Sequence, residues 1–206
     1  MKLEVYTVSD LPVVVIDDFY DDSALKKVWS EILFLSSGDK LKDPEDTGSA
    51  FDNDSNGKLL KKKNKGAFLD DIYNKREFSD ILFENRKLWD KDLIDALIEV
   101  HPFFRYLTVI TRDHTLLSYY EDSDYYAAHK DEAIISVCNW FYKGEKAFSG
   151  GSLTFDNKLT IECKHNRAVL FPSILFHEVD PITLPDAKKN DGFGRYTITQ
   201  LLTQQS

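Results

Sequence analysis

The sequence predicts an α+β protein in which helices come first and a β-sandwich or barrel follows. Three observations carry this. Apolar residues recur at helical spacing over 22–33 and in segments from 68 to 100, the period shortens to that of strands after residue 103, and turn residues then separate most of a series of short β-rich runs. The runs are 114–120 (HTLLSYY), 131–142 (DEAIISVCNWFY), 151–156 (GSLTFD), 158–163 (KLTIEC), 167–172 (RAVLFP), 175–179 (LFHEV) and 195–202 (RYTITQLL). Gly150-Gly151, Asp156-Asn157, His165-Asn166 and Asp191-Gly192 punctuate them, as residues that favour tight turns do.

In the N-terminal half, residues 11–19 (LPVVVIDDF) read as a short buried strand ending in acids. Asp21, Asp22 and Ser23 then offer capping oxygens and negative charge for a helix start, and Leu25, Val28, Trp29, Ile32 and Leu33 give that helix an apolar stripe. From 36 to 66 the chain turns rich in Gly, Asp, Asn, Ser and Lys and loses apolar periodicity, which predicts a mobile lid. The lysines within it, Lys61, Lys62, Lys63 and Lys65, either face water or meet an acidic substrate. Residues 68–73 predict a helical turn, and 78–82 and 88–100 predict helices, the last carrying Leu93, Ile94, Leu97 and Ile98. His101-Pro102 ends it, because a residue before proline avoids the helical region. The expected organisation is one domain over 1–206: a helical buttress with its lid over 1–103, and a barrel core over 104–206.

Composition narrows the function. The aromatic residues (14 Phe, 10 Tyr, 3 Trp) suit sheets and the walls of a ligand cavity. A formal charge of −9 argues against a nonspecific grip on nucleic acid or an anionic membrane. Cys138 and Cys163 lack metal or redox spacing and read as reduced, buried thiols. Residues 1–19 hold no apolar run of signal-peptide length, and no segment reaches the roughly 18 apolar residues of a membrane span. A soluble, cytoplasmic protein is expected.

The chemistry concentrates in residues 119–142, where His129 and Asp131 stand two apart. On extended chain that spacing points both side chains to one side. One imidazole and one carboxylate make two-thirds of the 2-His-1-carboxylate set that binds non-haem iron. His177 in the apolar run FPSILFHEV and Arg195 at the head of RYTITQLL would add a third ligand and a buried cation. Each alone has a plainer reading: His177 as a core histidine, Arg195 as the start of an exposed strand, Tyr126 as packing. His101, His114 and His165 read as structural, and Trp140, Phe141 and Phe171 as core, with Trp140 and Phe155 possible at the cavity mouth.

Four motifs, YYEDSDYYAAHKD (119–131), GGSLTFDN (150–157), AVLFPSILFHEV (168–179) and GRYTITQLL (194–202), resemble in order and spacing the Fe(II)/2-oxoglutarate-dependent oxygenases, and within them the prolyl 4-hydroxylase-like branch. The resemblance implies a double-stranded β-helix, a jelly-roll, cupin-like barrel open at one end, buttressed by N-terminal helices. It implies Fe(II) bound by His129, Asp131 and His177. It also implies that Arg195 holds the distal carboxylate of 2-oxoglutarate, with Tyr126, Thr197 and Tyr120 beside the cosubstrate, and that O2 is consumed with release of succinate and CO2. Many prolyl hydroxylases carry Lys at the Arg195 position, and Ser123 stands where the branch usually has Gly, which predicts a different turn. Asp131 argues against a halogenase, since related halogenases lack this carboxylate. The expected substrate is a peptidyl (prolyl-type) or free amino-acid side chain, with no nucleic-acid or membrane partner. The rival readings are a cupin-like metal enzyme that does not use 2-oxoglutarate and a non-catalytic jelly-roll binding module.

Overall fold

Two β-sheets and a helical layer stack in the order helices, large sheet, small sheet. The computed structural model describes residues 3–38, 40–47, 51–54 and 57–204. The strands are β1 (Leu3–Val8), β2 (Leu11–Ile16), β3 (Phe51–Asp54), β4 (Gly57–Leu60), β5 (Lys65–Phe68), β6 (Arg112–Tyr120), β7 (Tyr126–His129), β8 (Ile135–Phe141), β9 (Leu153–Phe155), β10 (Leu159–Ile161), β11 (Arg167–Pro172), β12 (His177–Val179) and β13 (Arg195–Thr203). The helices are α1 (Asp22–Ser36), α2 (Leu69–Ile72), α3 (Asp80–Glu84) and α4 (Lys91–Val100), with short 3-10 turns between them. The large sheet runs β1-β2-β11-β8-β13-β6-β5, the small one β10-β9-β12-β7, and β3 and β4 form a separate hairpin. Every pairing is antiparallel, and the whole is a double-stranded β-helix.

The period of two along the central strands builds two cores at once. Val14 and Ile16 of β2, Val137 and Phe141 of β8, and Ala168 and Leu170 of β11 face the helices, where Val28, Ile32 and Leu35 of α1 and Leu97 of α4 cover them. Their neighbours Val13, Val15, Cys138, Trp140, Val169 and Phe171 face the small sheet, against Leu153, Phe155 and Val179. Near-continuous apolar runs are what a sheet covered on both faces requires, and each fully buried aliphatic or Phe side chain contributes about 1.5–3 kcal/mol. Helix α1 starts as expected: the Asp21 carboxylate accepts from the Ser23 and Ala24 N–H groups, both at 2.9 Å. Its buried stripe keeps Val28 and Ile32 of the expected positions, with Leu25 and Trp29 half-buried beside them. Ala24, Val28, Ile32 and Leu35 are covered, while Leu33, a turn away from the sheet, is 42% exposed.

The boundary at 103 does not separate buttress from barrel. β1, β2 and β5, all from the first half, belong to the large sheet. The β1–β2 pairing joins a strand the sequence pattern did not mark to one it did. Nor is 36–66 a plain irregular stretch. It carries the β3–β4 hairpin, and its end enters the barrel wall: β5 pairs with β6, while residues 61–63 lie antiparallel to β7 through Ala127 N–H to Lys61 O (2.8 Å) and Lys63 N–H to Tyr125 O (3.1 Å). Polar and charged residues hid these strands, because an edge segment with one wet face carries few apolar side chains. Residues 39, 48–50 and 55–56 of the expected lid lie outside the described residues.

Ser123 corrects a second expectation. Its φ of +68° is the left-handed conformation that glycine favours, so serine here holds a glycine-type turn. Two contacts pin it: Ser123 N–H donates to Ile182 O at 2.7 Å, and Lys63 Nζ donates to Ser123 Oγ at 2.5 Å. Among the described residues, no helix is long and apolar enough to cross a membrane.

Candidate metal and cosubstrate site

The site is assembled across one strand pair. His129 ends β7 and His177 begins β12, and the two are direct partners in the ladder. Directly opposed residues have Cβ atoms about 5 Å apart, and here the two rings lie 4.2 Å apart. Asp131 follows two residues after His129, its N–H fixed on Ser173 O at 3.1 Å. The carboxylate reaches both imidazoles: Oδ1 lies 3.5 Å from His129 Nε2 and Oδ2 lies 3.5 Å from His177 Nε2. One ligand atom from each residue falls within 4.8 Å of the others. Octahedral coordination with bonds of about 2.1 Å places neighbouring ligand atoms about 3 Å apart, so only a small contraction would be needed around an ion.

Local hydrogen bonds aim these groups. His129 Nδ1 lies 2.8 Å from Ala127 O and His177 Nδ1 lies 3.0 Å from Leu175 O. Each carbonyl can only accept, so each Nδ1 carries the proton and each Nε2 presents a lone pair to the site. Burial pushes the His177 imidazole down to about 4, keeping it neutral at physiological pH. Burial alone would raise the Asp131 carboxyl. The neighbouring His129 and His177 and the Ser136 hydroxyl outweigh it and hold the group below the usual carboxylate range. A neutral His177 imidazole beside an ionised carboxylate suits a divalent metal.

A β-bulge places the next residue. Val179 pairs with Tyr126 while His177 pairs with His129, so two steps on β12 match three on β7. A regular strand would send residues three apart to opposite faces; the extra residue returns Tyr126 to the side of His129. Their rings stack at 3.6 Å with planes 12° apart.

Beyond this lies a cavity of about 530 Å³, lined by the three candidate ligands together with Tyr120, Tyr126, Arg195 and Thr197. Arg195 is 1% exposed, and its guanidinium sits 4.7 Å from the Tyr120 ring and 5.4 Å from the Trp140 ring. Its Nε and Nη1 have no hydrogen-bond partner, and neither has the hydroxyl of Thr197, two residues along the same strand face. Buried donors left unsatisfied cost about 1–3 kcal/mol each, more for a charged group. A dicarboxylate reaching into the cavity would satisfy all three, so the residues present fit the cosubstrate as well as the metal.

All seven residues expected at the site thus meet in one cavity. Other expectations shift. Trp140 and Phe155 are fully buried and do not reach a mouth. Phe176 is at the rim instead, 49% exposed and lining the cavity beside His177. His114, read as structural, lines the same cavity, and so do Lys61 and Lys62 from the lysine cluster. Ser136 and Ser173, which brace Asp131, carried no sequence signal, since serines within apolar runs look like ordinary small core residues.

Residues 115–202 match the family model of the 2OG-Fe(II) oxygenase superfamily. No curated protein compared with the chain matches it. Among solved structures, a Pseudomonas putida prolyl-4-hydroxylase aligns with TM-score 0.61 and 12% identity over 94% of this chain and 93% of its own. A viral collagen prolyl hydroxylase from Paramecium Bursaria Chlorella virus-1, in its 2OG complex, gives 0.57 and 11% over 94% and 96%. A 2OG-Fe(II) oxygenase family oxidoreductase from Burkholderia pseudomallei gives 0.56 and 11% over 94% and 86%. The match to the 2OG-Fe(II) oxygenase superfamily thus spans residues 115–202, on a fold shared with the prolyl 4-hydroxylases, and the His-Asp-His group fits the iron of a 2-oxoglutarate-dependent dioxygenase.

Proposed function

We propose that this enzyme hydroxylates a peptidyl (prolyl-type) or free amino-acid side chain, with His129, Asp131 and His177 binding Fe(II) and Arg195 anchoring 2-oxoglutarate. The observation that carries it is the shared cavity. Two buried Nε2 lone pairs and a carboxylate face the same space as a buried guanidinium with unsatisfied donors. Iron with 2-oxoglutarate and O2 supplies the oxidising chemistry, in which the keto acid leaves as succinate and CO2 and the substrate gains a hydroxyl.

The residues of the chain supply placement. Ala127 O and Leu175 O fix the tautomers of both histidines, and Ser136 fixes the rotamer of Asp131. Arg195 offers a planar fork matched to a carboxylate, held between two aromatic rings that exclude water. Thr197 and Tyr120 add hydroxyl groups along the same wall, and Tyr126 screens the face of His129. Phe176, at the rim, is positioned to meet the substrate. Prolyl hydroxylases among the structural neighbours support the amino-acid side chain as substrate class.

Anaerobic addition of Fe(II) and 2-oxoglutarate to the metal-free protein tests this reading. A visible charge-transfer band that needs both additions, and that is lost in His177→Ala, is the expected result. Metal binding without the band favours a cupin-like enzyme that does not use 2-oxoglutarate. Absence of metal binding leaves a non-catalytic jelly-roll module.

A further inference from the structure

Lys62 is an unusual residue to find in the wall of this cavity. It is 2% exposed, yet its neighbours Lys61 and Lys63 are not buried. The cause is the pairing of residues 61–63 with β7, which turns alternate side chains inward and outward. Lys62 points in, and its Nζ donates to Thr47 O at 2.9 Å. It lies 5.5 Å from the centre of the Tyr126 ring, which itself stacks on His129. The amine is therefore one aromatic ring away from the proposed iron ligands and lines the same cavity.

No carboxylate of the described residues pairs with it. Among cavity-lining acids, Asp131 is engaged by the two histidines and Ser136, and Glu132 makes no ion pair with Lys62. Arg195 and Lys130 line the cavity too, so its cations are not balanced from within. An ammonium withdrawn from water without an anion is unfavourable, and burial has already lowered its pKa to about 8. A methionine would close the same gap without that cost. One hydrogen bond to a neutral carbonyl leaves two donors of the ammonium for a ligand. Arg195 accounts for the cosubstrate carboxylate, and an anion at Lys62 must come from elsewhere.

We propose that Lys62 binds a carboxylate carried by the primary substrate, making this an oxygenase of acidic amino-acid or carboxylate-bearing substrates. The proposal rests on the oxygenase reading of the site and adds the substrate class. The hydroxylated carbon would lie at the iron, with the acid reaching past Tyr126 to the amine. Lys62 thereby sets specificity, while iron and 2-oxoglutarate binding stay with the other residues.

The test uses full-length protein loaded with Mn(II) and saturating 2-oxoglutarate without O2, titrated calorimetrically with matched probes. These are N-acetyl-glutamate against N-acetyl-glutamine, N-acetylproline against its amide, and methyl phosphate. Each acid is expected to bind at least tenfold tighter than its amide. Lys62→Met and Lys62→Gln should each remove that difference and leave 2-oxoglutarate affinity within twofold. The glutamine variant keeps a donor for Thr47 O, so it remains a test if the methionine variant fails to fold. Acid and amide binding wild type alike, or neither binding at millimolar concentration, overturns the proposal. So does a preference that survives in either variant, or a loss of 2-oxoglutarate affinity that would give Lys62 to the cosubstrate. Tighter binding of methyl phosphate than of either acid overturns the carboxylate assignment. Failure of 2-oxoglutarate itself to bind the Mn(II) protein would count against the oxygenase site, a separate result from the acid–amide comparison.

Discussion

Ser136 donates a hydrogen bond of 2.5 Å to the Asp131 carboxylate and contacts Ser173 Oγ at 2.8 Å. Ser136 on β8 and Ser173, in the turn just after β11, are both fully buried, so the carboxylate is braced by the protein and not by solvent. Partners that hold a metal ligand in this way are worth about 10–100-fold in metal affinity when removed. Ser136→Ala is therefore expected to weaken Mn(II) or Fe(II) binding by at least tenfold while the far-UV circular dichroism stays unchanged. Unchanged metal affinity would show that Asp131 does not need the brace.

Arg195 and Thr197 predict a separation of cosubstrate from metal binding. Two charge-assisted hydrogen bonds from a guanidinium to a carboxylate contribute together about 3 kcal/mol. Arg195→Ala should raise the concentration of 2-oxoglutarate needed for half-saturation about a hundredfold, with Mn(II) affinity little changed. Thr197→Val, which loses one neutral hydroxyl, should raise it less than tenfold. Parallel loss of metal binding in Arg195→Ala would mean the residue supports the fold of the site and not the cosubstrate.

The strands after residue 103 were legible from period-two apolar runs and turn residues, whereas His129, Asp131 and His177 were joined by the order of four motifs, the His-x-Asp step alone being a weak signal. The wall made by residues 61–68 was not legible, because Lys62 is buried among lysines and reads as surface until its partner strand is known. The bulge that turns Tyr126 toward His129 was equally hidden, since it is a property of two strands 50 residues apart and leaves no mark on either. Ser123 was misread for a related reason. Serine rarely takes positive φ unaided, and the contacts that hold it come from Ile182 and Lys63, far away in sequence.

Asp17 predicts a pH dependence of stability outside the site. Its carboxylate accepts from Arg167 Nε at 2.6 Å and from Lys164 Nζ at 2.7 Å, tying the turn after β2 to the start of β11. The Arg167 hydrogen bond, with help from Lys164, lowers its pKa to about 2. The folded value lies below the unfolded one, near 3.9, so the contribution is complete above about pH 4 and is lost as pH falls through about 2. The group is partly exposed and screened by solvent, so we expect about 1 kcal/mol. Asp17→Asn should be less stable than wild type by that amount at pH 7 in urea unfolding. The gap should close as pH approaches 2, and a constant gap would point to lost packing instead.

Gly194 predicts how tightly the entry of β13 is set. A Cβ there would lie 1.9 Å from the backbone oxygen of Tyr120, which is the partner of Arg195 in the β13–β6 ladder. A backbone oxygen cannot rotate away, so alanine must push the start of β13 off β6 and carry Arg195 with it. Overpacking of this kind costs about 1–3 kcal/mol. Gly194→Ala is expected to lower the urea midpoint and to weaken 2-oxoglutarate binding by more than tenfold. Gly144→Ala is the control: its φ of +62° strains alanine, but its Cβ meets nothing within 4 Å. It should cost about 1 kcal/mol of stability and leave 2-oxoglutarate affinity as it was. Equal effects of the two on that affinity would show that the approach of Gly194 to Tyr120 does not position the arginine.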